Sequence, residues 1–196
     1  MTLYLIRHGL AAAGLDDLDP GLAPLGHEQA KITARALGHL TPSRLVVSPL
    51  RRTRETAEPI AEALGLEAEI RDEVAEVFDP SVPPEEREAF IGPFMAGNWS
   101  DQDETLQAWR QRVVDTLIEM GGGDGDVVVV SHYIAIGVGI GEAIRNDRVV
   151  PVKLGNCSVT KLDEVNGKLA LVAAGSTDHL TEEQITGVAR ALPGGP

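Results

Sequence analysis

The chain has 196 residues, 43% of them hydrophobic, which is enough for one sizeable core and too little for two comfortable ones. With 30 acidic side chains against 17 basic ones the formal charge is -13, which repels phosphate backbones and anionic membrane surfaces; neither nucleic acid nor a membrane is expected as a partner. A single cysteine, Cys157, excludes an internal disulfide and a thiolate metal cage.

Strand-like and helix-like segments alternate, the pattern of β-α-β units around a mostly parallel sheet. The first strand, Thr2 to Ile6, feeds straight into Arg7-His8-Gly9. Ligands in such folds bind at the carboxyl ends of parallel strands, so His8 stands where a nucleophile would, with Gly9 letting a ligand approach the backbone. A Gly/Asp/Pro-rich loop over 14–24 precedes a helix over 25–40, whose apolar residues Leu25, Ile32, Ala36, Leu37 and Leu40 recur at helical spacing. Leu45-Val46-Val47 is a short strand. Ser48-Pro49 is expected to cap and open a second helix, with Ala57, Ile60, Ala61 and Leu64 on its buried face and Gly65 as its stop.

Segment 67–71 reads as an edge strand. Pro80, Pro83, Pro84 and Pro93 then break regular structure as far as Asn98, leaving an irregular loop or a lid. Leu106, Trp109, Val113, Leu117 and Met120 mark a third helix, ended by the glycines at 121–123. The unbroken Val127-Val128-Val129-Val130 suits a central strand buried on both faces, with Ser131-His132 at its exit. A hairpin over 158–162 and 169–173, turning at Asn166-Gly167, precedes a last helix opened by Thr181-Glu182-Glu183-Gln184. The pattern predicts one domain over 1–192 and a disordered tail over 193–196.

Three strands thus end in chemically competent groups: Arg7-His8, Ser48 with the arginines behind it, and Ser131-His132. Arg51, Arg52 and Arg54 fall in the first turns of the second helix, where the dipole and free N–H groups favour an anion. Guanidinium matches phosphate oxygens bidentately, so in a chain this acidic the local cationic cluster points to a phosphate pocket. Arg51 and Arg54 are expected to face solvent or acidic neighbours, and His27, His39 and His179 to lie on surfaces without a role. The histidines lack the short ligand spacing of a zinc motif, so no metal is expected. The amino terminus has no basic region leading into a long apolar stretch, and no apolar run approaches the ~18 residues of a membrane span; a cytoplasmic protein is expected.

Four blocks resemble the histidine phosphatase superfamily, the phosphoglycerate mutase-like fold. Leu5-Ile6-Arg7-His8-Gly9 is similar to its signature, and Ser48-Pro49-Leu50-Arg51-Arg52-Thr53-Arg54-Glu55-Thr56-Ala57 to its second block, whose phosphate-binding arginine is here Arg52. Asp72-Glu73-Val74-Ala75-Glu76 resembles the block ending in the acidic proton donor, which carries over to Glu76. Val129-Val130-Ser131-His132 resembles the block carrying the second histidine, His132. Gly26, Gln29 and Ala30, with Asn156-Cys157-Ser158-Val159-Thr160, also resemble family segments and are expected to serve structure. The resemblance implies a three-layer α/β/α sandwich around a mostly parallel sheet.

It also implies a chemistry that suits these residue types. A neutral imidazole is a competent nucleophile near pH 7, so His8 would form a phosphohistidine. Arg7, Arg52 and a protonated or donating His132 would bind the phosphate and stabilise its equatorial oxygens, and no cofactor is required. Glu76 would give a proton to the leaving alkoxide and then take one from water. The chain departs from the family pattern after its motifs: Leu10-Ala11-Ala12-Ala13 follows the first, Val77-Phe78-Asp79-Pro80 follows Glu76, and Tyr133-Ile134 follows His132. These changes speak against mutase activity and make the pocket wall more apolar. The expected function is metal-independent hydrolysis of a small phosphomonoester; a phosphoglycerate mutase-type transfer and a non-catalytic phospho-ligand binding module are the alternatives.

Overall fold

A computed structural model describes residues 1–12, 17, 19–77 and 84–188, without the side chains of 84–89. In chain order its first elements are β1 (Thr2–Arg7), α1 (Pro24–Leu37), β2 (Arg44–Val47), α2 (Arg51–Leu64), β3 (Ala68–Ile70) and α3 (Pro84–Ala96). These are followed by α4 (Glu104–Gly121), β4 (Val127–Ser131), α5 (Tyr133–Ile144), β5 (Val159–Glu164) and β6 (Leu169–Ser176). The strands form one sheet in the order β3-β2-β4-β1-β5-β6, in which the β3, β2, β4 and β1 neighbours run parallel and β5 and β6 antiparallel.

The valine run explains the layering. Successive side chains on a strand point to opposite faces. Val127 and Val129 accordingly join the core beneath α4 and α5, with Leu3, Leu5, Val113, Leu117 and Ile140, while Val128 and Val130 join Ile6, Ala34, Leu37, Ala57 and Ile60 beneath α1 and α2. A strand buried on both faces needs helices on both faces, which produces three α/β/α layers.

Helix α1 lies close to the end of β1. A Cβ at Gly26 would sit 2.2 Å from the Leu10 carbonyl oxygen, and one at Gly9 would sit 2.7 Å from that of Gly26. The space expected to admit a ligand at Gly9 is therefore filled by the backbone of α1.

Four further expectations are corrected. The segment through Pro84 and Pro93 is not irregular: it forms α3, whose far end is pinned by an aromatic chain of Phe90, Phe94, Trp99 and Trp109, with centroid separations of 5.4, 5.6 and 5.9 Å. Proline is tolerated in a first turn, and this packing offsets the hydrogen bond that Pro93 cannot donate. Helix α2 begins at Arg51 with Leu50 as its N-cap residue, not at Ser48-Pro49, because the Ser48 hydroxyl is engaged elsewhere. Between His132 and the hairpin lies α5, which the pattern did not mark; it is apolar nearly all round and rich in glycine. One of these, Gly139, has no room for a Cβ, which would come 2.8 Å from Leu117 Cδ1.

No helix follows Thr181 among the described residues; only a turn does. Its capping contact is present, from the Thr181 N–H to Gln184 Oε1 at 3.0 Å. The Gln184 and Thr186 carbonyls, however, accept from Gln29 Nε2 (2.6 Å) and the Asn156 N–H (2.9 Å) instead of continuing a helix. The hairpin turn holds as read, with Asn166 and Gly167 both at positive φ. Residues 193–196 and Pro80 to Pro83 lie outside the described residues.

Gly26→Ala is expected to lower the unfolding free energy by about 1–3 kcal/mol, the usual overpacking range. Gly38→Ala, where the nearest atom to the added Cβ is 3.5 Å away, should change it by no more than about 0.5 kcal/mol. Urea denaturation of both variants checks the contrast.

Candidate active site

Parallel pairing of β1 with β4 sets Arg7 opposite Ser131, so the residues following each strand end side by side. The His8 N–H donates to the Ser131 carbonyl (3.0 Å), and the His8 carbonyl accepts from Asn156 Nδ2 (3.1 Å) and the Cys157 N–H (3.3 Å). The Gly9 N–H donates to Thr56 Oγ1 on α2 (3.0 Å). The loop is thereby fastened to three elements.

The His8 ring is almost fully buried. Its Nδ1 lies 2.8 Å from the Gly9 carbonyl oxygen, an acceptor only, so the proton is assigned to Nδ1 and the lone pair to Nε2. Arg52 Nε donates to that Nε2 at 3.3 Å. Burial, then the Arg52 and Arg7 charges, push the His8 pKa down to about 3, against the weaker pull of the Gly9 bond. The imidazole is neutral throughout the physiological range. A buried neutral ring with a fixed tautomer carries a nucleophilic lone pair on Nε2, which can attack phosphorus once Arg52 turns from it to the phosphate oxygens.

His132 caps α5 and is fully buried, its ring centroid 5.3 Å from that of His8. Burial, followed by His8, Arg52 and Arg7, holds its pKa well below the usual value, so it is the neutral form that stands beside the nucleophile. Its Nε2 is 2.7 Å from Ser48 Oγ, while Ser48 Oγ also accepts from the Leu50 N–H at 3.4 Å. Nε2 is the acceptor within reach of the Ser48 hydroxyl proton, so the hydroxyl is assigned as the donor and the His132 proton to Nδ1. Among the described residues, that Nδ1 and Arg7 Nε are buried without a hydrogen-bond partner. An unsatisfied buried donor costs roughly 1–3 kcal/mol, and an oxyanion is the kind of ligand that would satisfy both.

Arg7 is anchored through Nη1 to the Leu154 carbonyl (2.6 Å), and its guanidinium lies over the Tyr133 ring, 4.9 Å from the centroid. Arg52 Nη1 is 3.6 Å from Asp19 Oδ1, and both Asp19 carboxylate oxygens accept from the Arg51 N–H at 3.0 Å. The N-terminus of α2, expected to offer free N–H groups to an anion, already holds an anion of the chain itself. Arg51 is exposed and paired with Glu55 at 2.7 Å.

Glu76 follows the turn at 72–74. Its Oε1 accepts from the Val77 N–H (3.0 Å) and its Oε2 is 3.5 Å from that of Ile134. Burial raises its pKa against those bonds and the Arg52 and Arg7 charges. Glu73, three residues earlier, bonds Arg71 and is held low. Glu76 and Arg7 line a cleft of about 280 Å³ with Ile91, Met95, Tyr133, Ile134 and Gly187. The structure thus brings Arg7, His8, Arg52, Glu76 and His132 to one place.

The family model of the histidine phosphatase superfamily (branch 1) matches residues 3–177. The chain belongs to that superfamily. Within this histidine phosphatase family, the probable phosphoglycerate mutase GpmB of Photorhabdus laumondii is 26% identical over 194 residues, covering 83% of this chain and 85% of its own. Among solved structures, a phosphoserine phosphatase from Entamoeba histolytica in complex with 3-phosphoglyceric acid is similar with a TM-score of 0.73 at 22% identity, covering 92% of this chain and 99% of that one. Bacillus stearothermophilus YhfR is similar with a TM-score of 0.74 at 17% identity, covering 91% and 98%. These likenesses establish the mixed α/β fold expected from the sequence.

Sequence reasoning missed several residues of this histidine phosphatase site. Ser48 was placed among the competent strand ends but given only the role of a helix cap; the same strand-end position is the signal that could have found its contact with His132. Asp19, in a loop without periodic pattern, carried no signal. Asn156 and Gln29 serve structure as expected, but the structure they serve is the backbone at His8 and Leu10.

Ser48→Ala is expected to leave the fold intact and to lower kcat on a phosphomonoester roughly tenfold, less than removal of an oxyanion donor, because His132 keeps its place and loses its fixed tautomer. Ser48→Thr, which keeps the hydroxyl, should recover part of the loss. Steady-state kinetics alongside a urea unfolding curve separates this from simple destabilisation.

Proposed function

We propose that the protein is a metal-independent phosphatase that hydrolyses a phosphomonoester through a phosphohistidine on His8. The observation that carries this reading is the pairing of a neutral, tautomer-fixed His8 with a Glu76 carboxyl of raised pKa lining the same open cleft as Arg7. The first supplies a nucleophile and the second a proton donor that water can reach.

In this mechanism His8 Nε2 attacks phosphorus while Arg7, Arg52 and the Nδ1–H of His132 hold the equatorial oxygens, where phosphoryl transfer needs charge stabilisation and alignment. The ester bond breaks, and its electron pair leaves with the alcohol oxygen, which takes the proton of Glu76. Glu76, now a carboxylate, removes a proton from water as the water attacks the phosphohistidine, releasing phosphate and restoring both groups. Phosphate entry also requires Arg52 to share its charge between the ligand and Asp19.

A second reading, phosphoryl return to a bound product as in a phosphoglycerate mutase, is favoured by the name of the curated relative. Hydrolysis is preferred because the proposed donor sits in a cleft open to solvent, and a mutase must keep water from the phosphohistidine. A binding module without catalysis would have no use for a carboxyl of raised pKa beside the phosphate groups. The segment after Glu76, expected to be an irregular loop or a lid, is in part α3 and does not bear on this choice.

Incubation with a generic aryl phosphate in EDTA should release phosphate and leave an acid-labile, base-stable phosphoryl group on the wild type and none on His8→Ala. Interconversion of phosphoglycerate isomers faster than phosphate release would favour the mutase; neither turnover nor labelling would leave a binding module.

The pH dependence follows from the two shifts. Protonation of His8 sets in only near pH 3, far below the working range. Glu76 must be protonated for the first step, so kcat/KM on an alkyl phosphate falls as pH rises through its raised pKa. Glu76→Gln should lower kcat/KM on the alkyl ester by roughly 10²–10⁴ and abolish that limb, with a smaller loss on p-nitrophenyl phosphate, whose leaving group needs no proton. Profiles of kcat/KM for both substrates and both proteins make the comparison.

A further inference from the structure

Beyond Arg7 and Glu76 the cleft is walled by Ile91 and Met95 of α3 and by Tyr133 and Ile134 at the start of α5. We propose that this wall is a leaving-group subsite that selects phosphomonoesters of apolar alcohols, aromatic or branched aliphatic, over those of small anionic acids; the inference rests on the phosphatase reading above.

Charge argues first. Among the described residues lining the cleft the single cation is Arg7, whose Nη1 is held by the Leu154 carbonyl and whose face lies on Tyr133. The other ionisable group is the Glu76 carboxyl, which gives its proton to the leaving oxygen and offers a carboxylate no counter-charge. A substrate bearing its own carboxylate would bring that charge against isoleucine and methionine and towards a second acid, and an unpaired carboxylate is costly to dehydrate. An apolar alcohol meets no such penalty.

Exposure argues next. Ile91 is 38% exposed, and it lines a concavity rather than a flat surface. Large apolar side chains left open in a cleft beside reactive groups are what an apolar ligand covers. Met95 adds an unbranched, adaptable contact. Size sets the limit: at about 280 Å³ the cleft lies just under the ~300 Å³ lower bound of pockets for drug-sized ligands, so it accommodates one ring or a short branched chain.

The subsite also suits the chemistry. When the ester bond breaks, the alcohol oxygen leaves protonated by Glu76, and its hydrocarbon remains against the wall while phosphate stays on His8. Departure of the neutral alcohol then opens the cleft to the hydrolytic water.

The test compares three esters whose leaving groups are all alkoxides, so that leaving-group basicity does not decide the outcome: benzyl phosphate, glycerol 3-phosphate and 3-phosphoglycerate. The wild-type protein should show kcat/KM for benzyl phosphate at least roughly tenfold above that for 3-phosphoglycerate, with glycerol 3-phosphate between them. Ile91→Lys, a change at an exposed position of α3, should narrow that ratio by lowering the first value and raising the second. Turnover of all three with 3-phosphoglycerate equal or preferred would overturn the subsite and leave the phosphatase reading standing. An unchanged ratio in Ile91→Lys, with an unaltered circular dichroism spectrum, would likewise remove Ile91 and its wall from specificity. Absence of hydrolysis of all three would overturn the phosphatase reading and the subsite with it.

Discussion

Parallel pairing between β1 and β4 is the constraint on which the site depends. Its register sets Arg7 against Ser131, and the next residue on each strand is a histidine, so two imidazoles far apart in sequence have ring centroids 5.3 Å from each other. β2 adds its own carboxyl end to the same edge through Val47 opposite Val130, which brings Ser48 to His132 and the first turn of α2 to His8. Because all four core positions of β4 are valine, a one-residue slip would leave valine in both layers; what it would break is the alignment of Arg7 with Ser131 and of the histidines that follow them.

A second layer of polar contacts holds the loop after β1. Gln29 accepts from the Leu10 N–H and donates to the Gln184 carbonyl and Thr186 Oγ1. Thr186 Oγ1 in turn donates to Asn156 Oδ1, and Asn156 Nδ2 donates to the His8 carbonyl. The segment after Thr181, expected to be a helix, is spent on this network. Its bonds lie among buried groups, where a satisfied polar network rigidifies its surroundings.

Electrostatically the site opposes the rest of the molecule. A chain of charge -13 gathers Arg7 and Arg52 around two buried histidines, and those same cations help to keep both imidazoles neutral. Glu76 is shifted the other way because burial outweighs the cations beside it. One environment therefore favours an uncharged nucleophile and an uncharged acid together, which is the combination the proposed reaction needs at its start. Asp19 tempers the positive charge at Arg52 and occupies the helix end that would otherwise have faced an anion.

Much of this was legible in the sequence. The valine run specified a central strand because β-branched residues without alternation suit burial on both faces, and the strand ends announced Arg7-His8, Ser48 and Ser131-His132 as neighbours. While the family resemblance singled out Arg52 and Glu76, local pattern named Arg7, His8 and His132 at the strand ends and a cluster of arginines behind Ser48. It failed where competition between distant groups decided the outcome: prolines outweighed the helical residues of α3 until Phe94 met Trp99, the capping contact at Thr181 lost to Gln29 and Asn156, and Gly9 proved to make room for α1 rather than for a ligand. Residue types and spacing determined which chemistry the chain could perform and which layers it would build, because hydrophobic period and motif order are local properties. Tertiary structure alone decided the His8 tautomer, the opposite pKa shifts of Glu76 and Glu73 and the share of α3 in the cleft wall, because each depends on which atoms from remote segments arrive within hydrogen-bonding or van der Waals distance.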